Sequence, residues 1–225
     1  MSDTINELAD SEKDLFRSKI ESFFSEQNTQ TDQSQDGIGD ADTTSLDKAK
    51  SFQMDLSQAG LAGITFPEEY GGAGLSDTHQ EIFNEVSASW HMPTSPLSIS
   101  HGMCLPMLNQ FGTHEQKLRF MPDNISGKTI WCQLFSEPGA GSDVASLSTR
   151  AVLDGDQWVI NGQKVWTSGA HYCDYGLVVA RTDPSLPKHR GLTMFIVDMS
   201  DPAVEIRPLK QISGGSGFNE VFFTD

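Results

Sequence analysis

The sequence predicts an α+β protein: an all-helical domain over residues 1–128, then an antiparallel β-barrel or sandwich domain over residues 129–225. Two observations carry this reading. Up to about residue 128 the apolar side chains recur at helical intervals between capping residues. From Thr129 onward they fall in short runs rich in Val, Ile, Trp and Phe, separated by glycine-containing turns. A length of 225 residues suits one large or two modest domains.

Ile5, Leu8, Leu15, Ile20 and Phe23/Phe24 mark the first helix. Between Asn28 and Ser45, Ile38 is the one aliphatic side chain larger than alanine, so the stretch cannot offset its ordering entropy and is predicted to be a flexible acidic loop over residues 28–45. Ser45 is expected to cap a second helix that runs through Gln58 and stops at Gly60. Ser76 or Asp77 opens a third, with Ile82, Phe83, Val86 and Trp90 on one face, broken by Pro93 and Pro96. A more apolar helix spans Leu97 to Phe111 and ends at Gly112. Thr113 and Gln116 form a capping-box signature for a short helix expected to end before Pro122.

Eight strands are predicted: Ile130–Ser136, Thr149–Leu153, Trp158–Ile160, Lys164–Trp166, Leu177–Arg181, Leu192–Val197, Val204–Arg207 and Asn219–Phe223. Asp154-Gly155 and Asn161-Gly162 are hairpin signals between them.

Composition narrows the function classes. The net charge of −16 argues against a binder of nucleic-acid backbones, and residues 1–60 hold 13 acidic side chains against 5 basic ones. No run reaches the roughly 18–20 apolar residues of a membrane span. Cys104, Cys132 and Cys173 form no CxxC pair, so neither a disulfide framework nor a zinc ribbon is indicated, and the six histidines show no HxxxH or HExxH spacing. No secretory signal is visible at the N-terminus, and a reduced cytoplasmic setting is expected. Gly139-Ala-Gly141-Ser-Asp-Val144 lacks the third glycine of a dinucleotide fingerprint, and no GKS, GKT or GxSxG occurs.

Two segments carry chemistry. In Trp131-Cys-Gln-Leu-Phe-Ser136-Glu-Pro-Gly-Ala-Gly-Ser142-Asp143 a strand ends in a turn whose glycines let backbone N–H groups approach a ligand. In Gln163-Lys-Val-Trp166-Thr167-Ser168-Gly169 a strand ends in an indole beside two hydroxyls. That pairing suits a flat heterocycle with a polar edge, such as a flavin. Taken alone, a tryptophan at the mouth of a small β domain is more often part of the core.

Ser136-Glu-Pro-Gly-Ala-Gly-Ser142-Asp143 closely resembles the signature of the acyl-CoA dehydrogenase family. Four more segments resemble it in family order: Phe66-Pro-Glu-Glu-Tyr-Gly-Gly-Ala-Gly-Leu75, Phe111-Gly-Thr-His-Glu-Gln-Lys117, Asn161-Gly-Gln-Lys-Val-Trp166-Thr-Ser168 and Phe218-Asn-Glu-Val-Phe-Phe-Thr-Asp225. Leu134-Phe135 before the signature departs from the usual small and aliphatic residues. It looks like a bacterial subgroup acting on unusual or bulky acyl-CoA thioesters.

The resemblance implies a helical domain, a β-barrel domain and a C-terminal four-helix bundle, with FAD between barrel and bundle. Gln133, Leu134, Phe135, Ser136, Gly141 and Ser142 match the first flavin-contacting stretch. Ser136 is implied at the pyrimidine edge, and Ser142 at the cofactor phosphate or the CoA arm. Trp166, Thr167 and Ser168 match the second stretch, with Trp166 beside the ring and Ser168 near N5/O4. His189 falls where relatives touch CoA. The implied reaction is α,β-dehydrogenation of an acyl-CoA thioester, as in fatty acid β-oxidation and other lipid metabolism, with an electron acceptor such as an electron-transfer flavoprotein and a homo-oligomer at full length. The catalytic glutamate is implied in the bundle, beyond Asp225, so no residue here is assigned as the base, and Glu137 is a loop residue. The expectation is therefore a chain lacking its base and inactive alone. Acyl-CoA oxidases, flavin monooxygenases of this fold, and a non-catalytic remnant or partner subunit stay open.

Overall fold

The computed structural model describes residues 8–27 and 40–224. Helices α1 (Asp10–Glu26), α2 (Thr43–Gln58), α3 (Asp77–Ser87), α4 (Leu105–Phe111) and α5 (His114–Ile125) come first. Strands β1 (Trp131–Leu134), β2 (Arg150–Asp154), β3 (Gln157–Ser168), β4 (Tyr175–Arg181), β5 (Leu192–Asp198), β6 (Val204–Leu209) and β7 (Phe218–Phe223) follow. The α+β order read from the sequence is the order observed.

Helix α1 buries Phe16, Ile20 and Phe24, spaced four apart on one stripe. Leu15, expected on that face, is 74% exposed, because a one-residue step turns a side chain by about 100°. Ile5 lies outside the described residues, as do residues 28–39 of the predicted acidic loop. In the described part of that stretch, residues 40–45, Asp42 and not Ser45 caps α2, its carboxylate accepting the Ser45 N–H at 2.8 Å. Ser76 caps α3 as expected. Trp90 falls beyond that helix and stacks on Phe24, with ring centroids 5.6 Å apart.

The helix expected over Leu97–Phe111 is broken into three. A 3-10 turn (Ser95–Leu97) and a π-helical turn (Ser100–Cys104) precede α4. Pro106 has no N–H to bond the Gly102 carbonyl, and the Leu105 N–H bonds Ser100 instead, the wider π pattern. The Thr113–Gln116 capping box forms with both of its hydrogen bonds. Helix α5 does not end before Pro122 but runs through it to Ile125. Burial of Met121, Asn124 and Ile125 outweighs the one backbone bond the proline forfeits.

The seven strands form one sheet in the order β1-β4-β2-β3-β7-β6, with β5 on the other side of β4. Most pairs are antiparallel, but β1 lies parallel to β4, and β2 meets β4 in parallel at Arg150↔Arg181, so the sheet is mixed. Asp154-Gly155 does begin the β2–β3 turn. Asn161-Gly162 makes no hairpin. The two strands predicted on either side of it are one strand, β3, pairing first with β2 and then with β7. Gly162 serves close approach instead: a Cβ there would lie 2.4 Å from Thr149 Oγ1.

The helices and the sheet share a core. Trp131 of β1 and Leu177 of β4 pack into the cluster built by α1–α5. Phe120, Trp131 and Tyr175 form a ring triad with centroids 5.2–5.4 Å apart. The three cysteines are free thiols. Among the described residues, no helix is long and apolar enough to cross a membrane.

Candidate functional site

Strand β1 delivers Gln133 and Leu134 to the start of the signature turn. Side chains alternate there: Leu134 is buried in the β-domain core, so it can offer a ligand only its backbone, while Gln133, Phe135 and Ser136 are partly exposed. Glu137 and Ala140 then exchange backbone hydrogen bonds at 2.9 and 3.0 Å, which closes a tight turn and leaves Gly139, Gly141 and Ser142 exposed. A Cβ on Gly139 or Gly141 would meet no atom within 4 Å. The turn is open on its outer side.

The Glu137 side chain folds inward and holds the turn. Its Oε2 accepts from the Ser148 N–H and hydroxyl, both at 2.7 Å. Its Oε1 accepts from the Thr149 N–H at 2.9 Å and from Lys164 Nζ at 2.9 Å. Burial acts to raise the Glu137 pKa, but the hydrogen bonds from Thr149, Ser148 and Lys164 outweigh it and hold the carboxyl down to about 2. Burial conversely lowers the Lys164 pKa, against the opposing pull of Glu137.

The second segment lies beside the first because the Val165 N–H donates to the Ser136 carbonyl at 2.9 Å. A register shift between Lys164 and Thr167 then reorients the chain. Trp166 sits at φ 60°, the one residue other than glycine with positive φ among those described, and it is 61% exposed. A bulky side chain in that region is strained and persists only where its surroundings impose it. The expectation that such a tryptophan belongs to the core fails here, because the bulge turns the indole outward. Phe218 backs it edge-on, 6.0 Å away. Ser168 is partly exposed, whereas Thr167 points inward, and its buried Oγ1 has no hydrogen-bond partner. Of the second stretch, then, Trp166 and Ser168 present side chains and Thr167 does not. Asn219, fully buried, donates to the Thr167 carbonyl at 3.0 Å and pairs with His171 at 3.1 Å.

His189 is exposed in the loop between β4 and β5. That loop is tied to the signature turn by Lys188, whose Nζ bonds Asp143 at 2.7 and 2.9 Å, and by Arg181, which donates to the Ala145 carbonyl at 2.7 Å. Hydrogen bonds from Lys188 and Ser146 lower the Asp143 pKa. His101 donates to the Asn124 carbonyl at 2.8 Å, and burial lowers its pKa. Among the described residues no group of three or more His, Cys, Asp or Glu could hold a metal ion. A cleft of about 570 Å³ lies in the helical domain, with Leu56, Phe83 and Leu97 among its apolar walls and Thr94, Ser95 and Ser98 among its polar ones.

Lys164, Phe218, Asn219 and Arg181 lie in elements the sequence marked, but none of them was assigned a place at the site. A lysine within a predicted strand, Lys164–Trp166, was the one signal present, since that residue type is rarely buried unpaired.

A helical domain sharing its core with a β domain, in which the Ser136 turn is bonded to the strand that carries Trp166 and Ser168, defines a two-part α+β protein. Comparison with known proteins specifies which. Residues 10–128 match the family model "Acyl-CoA dehydrogenase, N-terminal domain", and residues 132–225 match "Acyl-CoA dehydrogenase, middle domain". The chain belongs to the acyl-CoA dehydrogenase family.

It is 46% identical over 180 residues to the acyl-CoA dehydrogenase IpdE1 of Mycobacterium tuberculosis, a match covering 80% of this chain and 47% of that one. Among solved structures, it resembles the Tcur3481-Tcur3483 steroid ACAD with a TM-score of 0.73 and 29% identity, over 96% of this chain and 55% of that one. It also resembles an acyl-CoA dehydrogenase from Geobacillus kaustophilus with a TM-score of 0.71 and 26% identity, over 99% of this chain and 57% of that one. The chain spans about half the length, or less, of the curated relatives it matches.

Proposed function

We propose that this chain supplies the flavin- and thioester-facing half of an FAD-dependent acyl-CoA dehydrogenase. The observation that carries the reading is Trp166, held outward at φ 60° beside the partly exposed Ser168 and bonded through Val165 to the Ser136 turn. The residues present fit the group. Ser136 and Ser168 are hydroxyls available to the polar edge of an isoalloxazine, Trp166 offers a plane against the ring, and the open Gly139–Ser142 turn gives a phosphate access to backbone N–H groups.

Bound FAD supplies the two-electron chemistry of α,β-dehydrogenation. The part played by this chain is to orient and to exclude water. Gln133, Ser136, Trp166 and Ser168 would fix the ring, Leu134 and Thr167 would contribute backbone only, and Gly141 and Ser142 would reach the phosphate. Ser142 and His189 would meet the CoA arm of the thioester. Glu137 is not the base that removes the α proton: its pKa near 2 and its four hydrogen bonds leave it neither basic nor free to move.

Relatives in this family include proteins named for isobutyryl-CoA, isovaleryl-CoA and steroid substrates. For this chain a bulky acyl-CoA thioester is proposed, and the cleft of about 570 Å³ in the helical domain, walled by both apolar and polar side chains, supports it by its size. An electron-transfer flavoprotein is proposed as the electron acceptor, with the chain in a homo-oligomer in the cytoplasm.

Fluorescence titration of the chain with FAD tests the reading. Trp166→Ala is expected to weaken binding more than Ser168→Ala, because packed ring area is lost along with it. Equal affinities for wild type and Trp166→Ala would refute the assignment.

A further inference from the structure

One side chain holds the Ser136 turn from beneath. Lys164 is fully buried, and Glu137 is 4% exposed. Lys164 Nζ donates to the Phe135 carbonyl at 3.1 Å and to Glu137 Oε1 at 2.9 Å, while the next residue, Val165, donates its N–H to the Ser136 carbonyl. Three consecutive residues of the first segment are thus bonded to two consecutive residues of the second. Directly after them the bulge turns Trp166 outward. A buried ammonium is costly, and apolar residues of similar volume fill such places as stably or better. Packing alone therefore does not call for a charge here. What the ammonium does, and a methionine cannot, is grip two oxygens in fixed directions on either side of Ser136.

We propose that Lys164, with Glu137 as its counter-charge, is a positioning residue of the flavin face: it fixes Ser136 relative to Trp166 and Ser168, so that one planar ligand meets all three. This inference rests on the flavin reading of that face.

The test compares the 225-residue chain with Lys164→Met and with the double variant Lys164→Met/Glu137→Gln. FAD titration, visible circular dichroism of the bound flavin and thermal melting are the three readouts. The double variant leaves no buried charge unpaired, so it is expected to recover much of the melting temperature that Lys164→Met loses. FAD affinity is expected to stay about tenfold or more below wild type in both variants, the scale of a lost charge-assisted hydrogen bond. The visible circular dichroism is expected to differ from wild type in both.

Affinity and dichroism that return to wild type together with the melting temperature would overturn the inference, leaving the pair a folding role only. If the double variant melts as early as Lys164→Met, then Lys164→Gln, which keeps a donor for the Phe135 carbonyl, decides. Affinity regained at an unchanged melting temperature supports the inference, and none regained overturns it. A wild-type chain that binds no FAD would remove the flavin reading itself, and this inference with it, before any variant is made.

Discussion

The Ser100 hydroxyl accepts the Trp131 N–H at 3.1 Å and the Asn124 side-chain amide at 2.9 Å, so one buried oxygen joins the π-helical turn, helix α5 and the first strand of the β domain. Trp131 opens the strand that carries Gln133 and Leu134 toward the signature turn. The placement of the site therefore depends on a contact between the two domains. Ser100→Ala would leave two buried donors unsatisfied. A loss on the order of 1–3 kcal/mol is expected, read as a lower denaturant midpoint at unchanged slope. A midpoint equal to wild type would show that the junction has other support.

Acid is expected to loosen the signature turn. The Glu137 pKa is lowered in the folded chain, so its stabilising contribution is fully present above its ordinary value of 4.5 and is lost as pH falls toward about 2. Tryptophan fluorescence during urea melts at stepped pH should show stability falling across that window, more shallowly for Glu137→Gln. Parallel pH dependences in the two proteins would contradict the assignment.

Trp166→Gly should separate folding from binding. Glycine at φ 60° removes strain of about 1–2 kcal/mol, and its greater unfolded-state entropy offsets part of that. The melting temperature is expected to stay within a few degrees of wild type while FAD affinity falls. A large drop in melting temperature would mean that the exposed indole is a structural element after all.

Catalysis by these 225 residues alone is expected to be negligible. The carboxylate next to Ser136 is committed to its four donors, and a positioned general base is worth about 10²–10⁴-fold. Anaerobic mixing of the FAD-loaded chain with isobutyryl-CoA, isovaleryl-CoA and a steroid acyl-CoA should leave the visible flavin band unbleached over minutes. Rapid bleaching would reveal a base within the chain or on a second copy.

Both the order of the elements and the motifs could be read from the sequence, because they rest on local chemistry. Helical spacing and the Thr113–Gln116 box set α5, and alternation with a glycine turn set β2 and the start of β3. The segments containing Ser136 and Trp166 stood out for the same local reason, glycines and hydroxyls grouped at strand ends. What local pattern cannot give is partnership across the chain. Asn161-Gly162 reads as a turn, yet β7 offers the second half of β3 a ladder, and Gly162 packs against Thr149. Pro122 reads as a stop, yet the core buries the residues beyond it. The outward face of Trp166, the inward face of Thr167 and the grip of Lys164 on Glu137 follow from a bulge and from groups 27 residues apart. Only the packed chain brings those together, since their energy comes from burial that no local segment achieves by itself.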